Sequence, residues 1–293
     1  ATGNILADQG RFEEALALQR EGVEISRKIG DEEFLAYSLG SIADTFLARG
    51  RLEDARRTYE EALAVTKKVG DAEEEATHEN DLGNVLIQKG ETSEADRHYA
   101  RALAGRRSLG DAEEIAESQM LIGALRNAEG RYSEAAALAG EAVRVFASLR
   151  RTGNHAIALA NQARAEAGLG KLTEARALCE RARALLTENR QNGANLPVLL
   201  EAIRVETAAS NLDAARGLLA DLEERTRKAP WLFYILEGRR AAAEIEIRGG
   251  RREEGIRRLR AVSEDARNQG FNLVVTEAQN ALRGSPAAPP SSR

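Results

Sequence analysis

The sequence predicts an all-α solenoid of stacked antiparallel helix pairs, and three observations carry that prediction. The first is a period of 40 residues, in which a turn, an acidic residue and Ala return in register. Gly10-Arg-Phe-Glu-Glu-Ala15 is followed by Gly50 to Ala55, Gly90 to Ala95, Gly130 to Ala135 and Gly170 to Ala175. The series weakens at Ser210 to Ala215 and ends at Gly250 to Gly255, without one insertion or deletion. The second is a break halfway between these turns, at Gly30-Asp31, Gly70-Asp71 and Gly110-Asp111, replaced later by Arg150, Arg190 and Pro230 before Gly270. The third is composition: Ala, Leu, Glu and Arg dominate, all strong helix formers, and no hairpin turn sits between alternating runs.

Two breaks per period leave two segments long enough for helices, and Gly after an apolar run is a helix C-cap signal. The first unit opens at Ala1-Thr2-Gly3-Asn4, which aligns with Asp81-Leu82-Gly83-Asn84. It therefore starts inside a first helix, with an expected parent chain upstream. In the second unit Leu35, Leu39, Ile42, Ala43 and Phe46 recur at helical spacing, and after Gly50 so do Ala55, Tyr59, Ala62 and Leu63. Arg56, Arg57, Glu60 and Glu61 fall on the opposite side. Units three to five repeat the pattern, with Ala95, Ala102, Ala135, Ala142, Ala175 and Ala182 letting helices approach closely. Tyr59 and Tyr99 fill the gap between the alanines, and Cys179 takes that slot in the fifth unit, which marks it as core rather than as a nucleophile. Asn154-His155 and Asn189 to Asn195 read as irregular turns. Pro230 introduces Trp231-Leu-Phe-Tyr234, which holds three of the twelve aromatics and reads as a seal over a weakened junction rather than an exposed hot spot. Phe271 to Arg283 reads as a capping helix. The expected organisation is a repeat array over 1–284 and a disordered Pro/Ser tail over 285–293.

The pattern resembles the tetratricopeptide repeat. Leu82-Gly83-Asn84, Gly90, Ala95, Tyr99 and Ala102 carry the likeness best, and Ile42-Ala43-Asp44, Gly50, Ala55, Tyr59 and Ala62 come close. The period of 40 instead of 34, and the missing Pro after the second helix, place it with the longer-helix subgroup found in bacterial regulators and cytoskeletal adaptors. The resemblance implies a right-handed superhelical solenoid with a ligand groove along the first helix of each pair. Carried across, that groove is lined by Asn4, Tyr37, Asp44, Asn80, Asn84, Gln88, Asn127, Arg164, Arg204 and Arg240. Asn and Gln offer donor and acceptor to a peptide backbone, and Arg offers a planar fork to a carboxylate. Arg164, Arg204 and Arg240 are therefore expected to receive an acidic or C-terminal carboxylate-bearing segment; the alternative is pairing with Glu201, Glu206 or Glu244.

Other functions find little support. Residues 1–100 carry a net charge of −10 and the remainder +5, but the acids of Glu32-Glu33, Glu73-Glu74-Glu75 and Glu113-Glu114 open helices, where they complement the helix dipole. The basic excess is scattered and lacks interleaved aromatics, which argues against direct nucleic-acid binding. His78, His98 and His155 stand in different elements, no Cys cluster exists, and no metal or cofactor is expected. Gly168-Leu-Gly170-Lys171-Leu172-Thr173 lacks the earlier Gly of a phosphate loop, and Gly40-Ser41 lacks the frame of a nucleophile elbow. No apolar run is long enough to span a membrane. The sequence thus points to a non-catalytic, cytoplasmic scaffold that binds a protein or peptide segment. The alternative is a sensory C-terminal region of a bacterial serine/threonine kinase or winged-helix regulator, a parentage that the preference for Arg over Lys also favours.

Overall fold

A computed structural model describes residues 2–189 and 195–284, so the expected tail over 285–293 lies outside the described residues. Fifteen helices follow one another among the described residues. Units 1 to 4 are α1 (Thr2–Asp8) with α2 (Phe12–Ile29), α3 (Glu32–Ala48) with α4 (Leu52–Val69), α5 (Ala72–Gln88) with α6 (Thr92–Leu109), and α7 (Ala112–Ala128) with α8 (Tyr132–Ser148). Units 5 to 7 are α9 (Thr152–Gly168) with α10 (Leu172–Asn189), α11 (Asn195–Ala208) with α12 (Leu212–Lys228), and α13 (Leu232–Arg248) with α14 (Arg252–Asn268). The last helix is α15 (Asn272–Gly284).

The breaks fall where the sequence places them. Asp71 caps α5 by accepting from the backbone N–H of Glu73 and Glu74 at 3.1 and 3.0 Å, and Asp111 does the same for α7 at 2.8 and 3.1 Å. The turn position demands a left-handed backbone so strictly that Arg150 and Ser210 adopt positive φ, 55° and 60°, where other units carry Gly. One expectation fails locally: Asn154 and His155 lie inside α9, because the break at Arg150 already separates α8 from α9, which starts at Thr152. Asn189 closes α10 and Asn195 opens α11, and the break expected at Arg190 lies outside the described residues.

Ala55, Ala95, Ala135, Ala175 and Ala215 are fully buried, so each pair packs through its small residues, and Tyr59 and Tyr99 are buried between them. Cys179 is buried in the same slot, and burial pushes its thiol up to about 12, with Glu201 and Glu206 adding to the effect. The thiol is core, as the sequence indicates.

The right-handed solenoid winds far enough to meet itself. One core cluster joins Leu39, Phe46, Tyr59 and Leu82 of units 2 and 3 to Leu236, Val262, Phe271 and Val274 of unit 7 and α15. The turns of the early units make the seam. A Cβ added at Gly10 would stand 2.6 Å from Pro230 Cδ, and one at Gly50 2.4 Å from Leu232 Cδ2. The aromatic run after Pro230 reaches this seam: the Phe233 ring lies 6.3 Å from that of Phe271, tilted by 32°, while Leu232 covers Gly50. Leu232 and Phe233 therefore pack on the cluster shared with units 2 and 3, while Tyr234 packs on the core of the weakened units next to it in sequence.

Candidate functional site

The odd-numbered helices line the inside of the coil, and their inner residues behave differently in the two halves. In units 1 to 3 one position of the inner helix is held by the residue 15 places later, on the outer helix. Gln19 donates to Asn4 Oδ1 at 3.1 Å, the Tyr59 hydroxyl donates to Asp44, and the Tyr99 hydroxyl donates to Asn84 Oδ1 at 2.8 Å. Gly83 makes room for this, since a Cβ there would stand 2.4 Å from the Tyr99 ring. Asn4 also donates to the Tyr37 hydroxyl at 3.3 Å, and the two line a recess of about 320 Å³ with Gly22, Phe34 and Ser38.

These inner groups sit in an acidic field. Burial raises Asp44 to about 6 against the hydrogen bond from Tyr59, and the charge of Asp8 adds to the rise. Burial likewise lifts Asp81 well above the usual carboxylate range, helped by the charges of Asp44 and Glu117. Asp44 keeps open surface on the inside of the coil, where surrounding helices enclose it. Neither Asp44 nor Asp81 makes an ion pair among the described residues.

Units 5 to 7 close the same face with ion pairs. Arg164 meets Glu277 at 2.7 Å and Glu201 at 3.5 Å. Arg204 meets Glu201, Glu237 and Glu277 at 2.5, 2.6 and 2.8 Å. Arg240 meets Glu237 at 2.7 Å, Glu277 at 3.2 Å, and Glu244. Glu277 comes from α15, 113 residues beyond Arg164, so tight winding brings four inner helices to one point. Burial alone would raise its pKa, but Arg204, Arg240 and Arg164 hold it well below the carboxylate range.

The structure therefore corrects part of the groove read from sequence. Arg164, Arg204 and Arg240 are not open to an incoming anion, because the chain's own glutamates occupy them; the alternative pairing named Glu201 and Glu244 correctly and missed Glu237 and Glu277. Asn80 and Asn127 are buried, and they clasp the next unit by donating to Ser118 Oγ at 3.2 Å and to the Asn161 carbonyl at 2.9 Å. Asn4, Tyr37, Asp44, Asn84 and Gln88 remain at least partly accessible on the inner helices.

The family model described as "MalT-like TPR region" matches residues 1–271. The chain belongs to this family. A search of curated proteins finds no match to it. Among solved structures, the MalT-like TPR array is similar to the Rap conjugation gene regulator of the plasmid pLS20 in complex with the Phr* peptide. That likeness has a TM-score of 0.71 and 15% identity, covering 98% of this chain and 74% of that one. The apo form of RapI gives a TM-score of 0.69 at 13% identity, covering 96% of each chain. A signal transduction ATPase with numerous domains from Pyrococcus horikoshii, carrying a tetratricopeptide repeat sensor, gives 0.57 at 18%, covering 95% of this chain and 43% of that one. At these identities the likeness is one of fold.

Sequence reasoning missed the supporting partners. Gln19, Tyr59 and Tyr99 stand one period apart, each 15 residues after the residue it holds. That offset is visible in the MalT-like TPR array once the inner position is known. Glu277 carried no such signal, because its partners lie one, two and three helix pairs back along the chain and only the winding of the coil brings all three together.

Proposed function

We propose that this MalT-like TPR array is a non-catalytic interaction module that receives an extended peptide segment along the inner face of units 1 to 3. The observation that carries the reading is the repeated support of Asn4, Asp44 and Asn84 by Gln19, Tyr59 and Tyr99 at a constant offset. Such support fixes the direction of three hydrogen-bonding groups before any partner arrives and lowers the ordering cost of binding. Tyr37 and Gln88 extend the row. The Rap regulator similar in fold was solved with a peptide, which agrees with the reading. The uncompensated acids favour a partner without excess negative charge, so the acidic segment expected from the arginines is withdrawn.

A sensory role within a larger signalling protein is the second reading. It is favoured by the seam, since an occupant of the coil's interior acts on both ends at once, and the archaeal ATPase similar in fold carries its repeats as a sensor.

Selection of peptides from a display library on the purified chain tests the first reading. Selected peptides should lose at least about tenfold in affinity on the double variant Asp44→Ala/Asn84→Ala, a loss of about 1.4 kcal/mol. They should bind unchanged to Glu60→Ala, on an exposed outer face. Equal affinity for the double variant and the parent chain would overturn it.

A further inference from the structure

Closure of the coil creates a second recess, separate from the inner row. It lies where α1 meets α11, α12 and α13, and encloses about 650 Å³, within the range of roughly 300–1,000 Å³ typical of small-ligand sites. Leu196 and Pro197 give it an apolar wall. The rings of Trp231 and Tyr234 stand 6.3 Å apart, tilted by 48°.

The charges around it are unbalanced. Asp221 pairs with Arg225 at 2.8 Å, and Glu224 pairs with Lys228 at 3.0 Å and with Arg227, which points away from the lining. Asp8, from unit 1, makes no ion pair among the described residues, so the lining itself carries three carboxylates against two cations. Aromatic faces attract cations through their quadrupole, most strongly when partly screened from water. The rings and the spare carboxylate thus select the same chemistry by independent means.

We propose that this recess binds an organic cation, a guanidinium or alkylammonium group on an apolar stem, held by Trp231, Tyr234 and Asp8. The stem lies against Leu196 and Pro197, and the charged end faces Asp8. Because Asp8 belongs to unit 1 and the other walls to units 6 and 7, an occupant bridges the seam and favours the closed coil. The site shares no residue with the inner row, although the charge of Asp8 is felt at Asp44.

Trp231 is the chain's single Trp, so its fluorescence reports on this site alone. The purified chain is titrated with agmatine, a free amine, with N-acetyl-arginine amide, a peptide-like form of the same group, and with neutral N-acetyl-norleucine amide. A saturable change with either cation and none with the neutral compound is expected, and which cation binds tells a free amine from a peptide side chain. Asp8→Asn, an exposed substitution whose fold is checked by circular dichroism, should weaken the cation about fivefold or more, and the cation should raise the melting temperature of the parent chain only. Equal binding of the neutral compound, unchanged affinity in Asp8→Asn, or no saturable change with either cation at millimolar concentration would overturn the proposal.

Discussion

At one repeat position units 2 and 3 carry Asp44 and Asn84, whereas units 5 and 6 carry Arg164 and Arg204. The residue 15 places later changes with it: Tyr59 and Tyr99 reach the inner group with a hydroxyl, while Cys179 and Leu219 offer none. The first half therefore orients inner polar groups from the outer helix and leaves them accessible. The second half lets its inner groups reach across the coil and neutralise one another. One backbone repeat supports either arrangement, and the choice rests on two side chains per unit.

The widest test of that contrast is Glu277→Ala. Removing one partner of a buried ion network leaves charges without compensation, so stability should fall by about 3–5 kcal/mol, read as a lower urea midpoint. A shift below about 1 kcal/mol, typical of surface pairs, would mean the second half is open like the first. On the other side, Gly83→Ala drives a methyl into the Tyr99 ring and should cost about 1–3 kcal/mol, the same range as Ala95→Leu, which overpacks a fully buried position. A neutral or stabilising Gly83→Ala would show that Tyr99 is free to move.

Smaller effects separate support from packing. Tyr99→Phe keeps the ring and loses one hydrogen bond, so about 1 kcal/mol is expected, and Asn84→Ala should cost about the same because it leaves the hydroxyl without its acceptor. If Asn84→Ala is neutral, the hydroxyl finds another partner and the inner row is less fixed than proposed.

The subtlest test uses pH. Asp44 sits at about 6 when folded, against about 3.9 in an unfolded chain. Between those values the folded state keeps a proton that the unfolded state has released, so ionisation erodes stability as pH rises through the window, and the cost persists above it. Asp44→Asn carries no such burden: its melting temperature should gain on the parent from about pH 4 to 6 and hold that lead at pH 7. A constant difference across the window would place Asp44 in an ordinary aqueous setting.

How much of this was legible in the sequence follows the range of the interactions. Helices, caps and the alanine contacts depend on neighbours within one or two units, and the 40-residue register displays them directly. Asn80 and Asn127 were misplaced because a polar residue on an inner helix can face the next unit as well as the groove, and spacing alone does not separate the two. The arginines were misread for a different reason: Glu277 on α15 reaches Arg164 and Arg204 through superhelical winding, which depends on small rotations accumulated over several units, whereas Glu237, three residues before Arg240, is a local partner. The Trp231 to Tyr234 run covers two surfaces: Tyr234 packs on the neighbouring units as the sequence suggests, and Leu232 and Phe233 reach the early units, which spacing does not show.

The seam has one more consequence. In an open repeat array each unit touches only its neighbours, so units can be added or removed and the ends fray first. Here Gly10 and Gly50 rest on Pro230 and Leu232, so the number of units between these contacts is fixed. Deleting one 40-residue unit between them would misalign the contact, and units 1 and 2, held from outside their own neighbours, would be expected to melt no earlier than the middle.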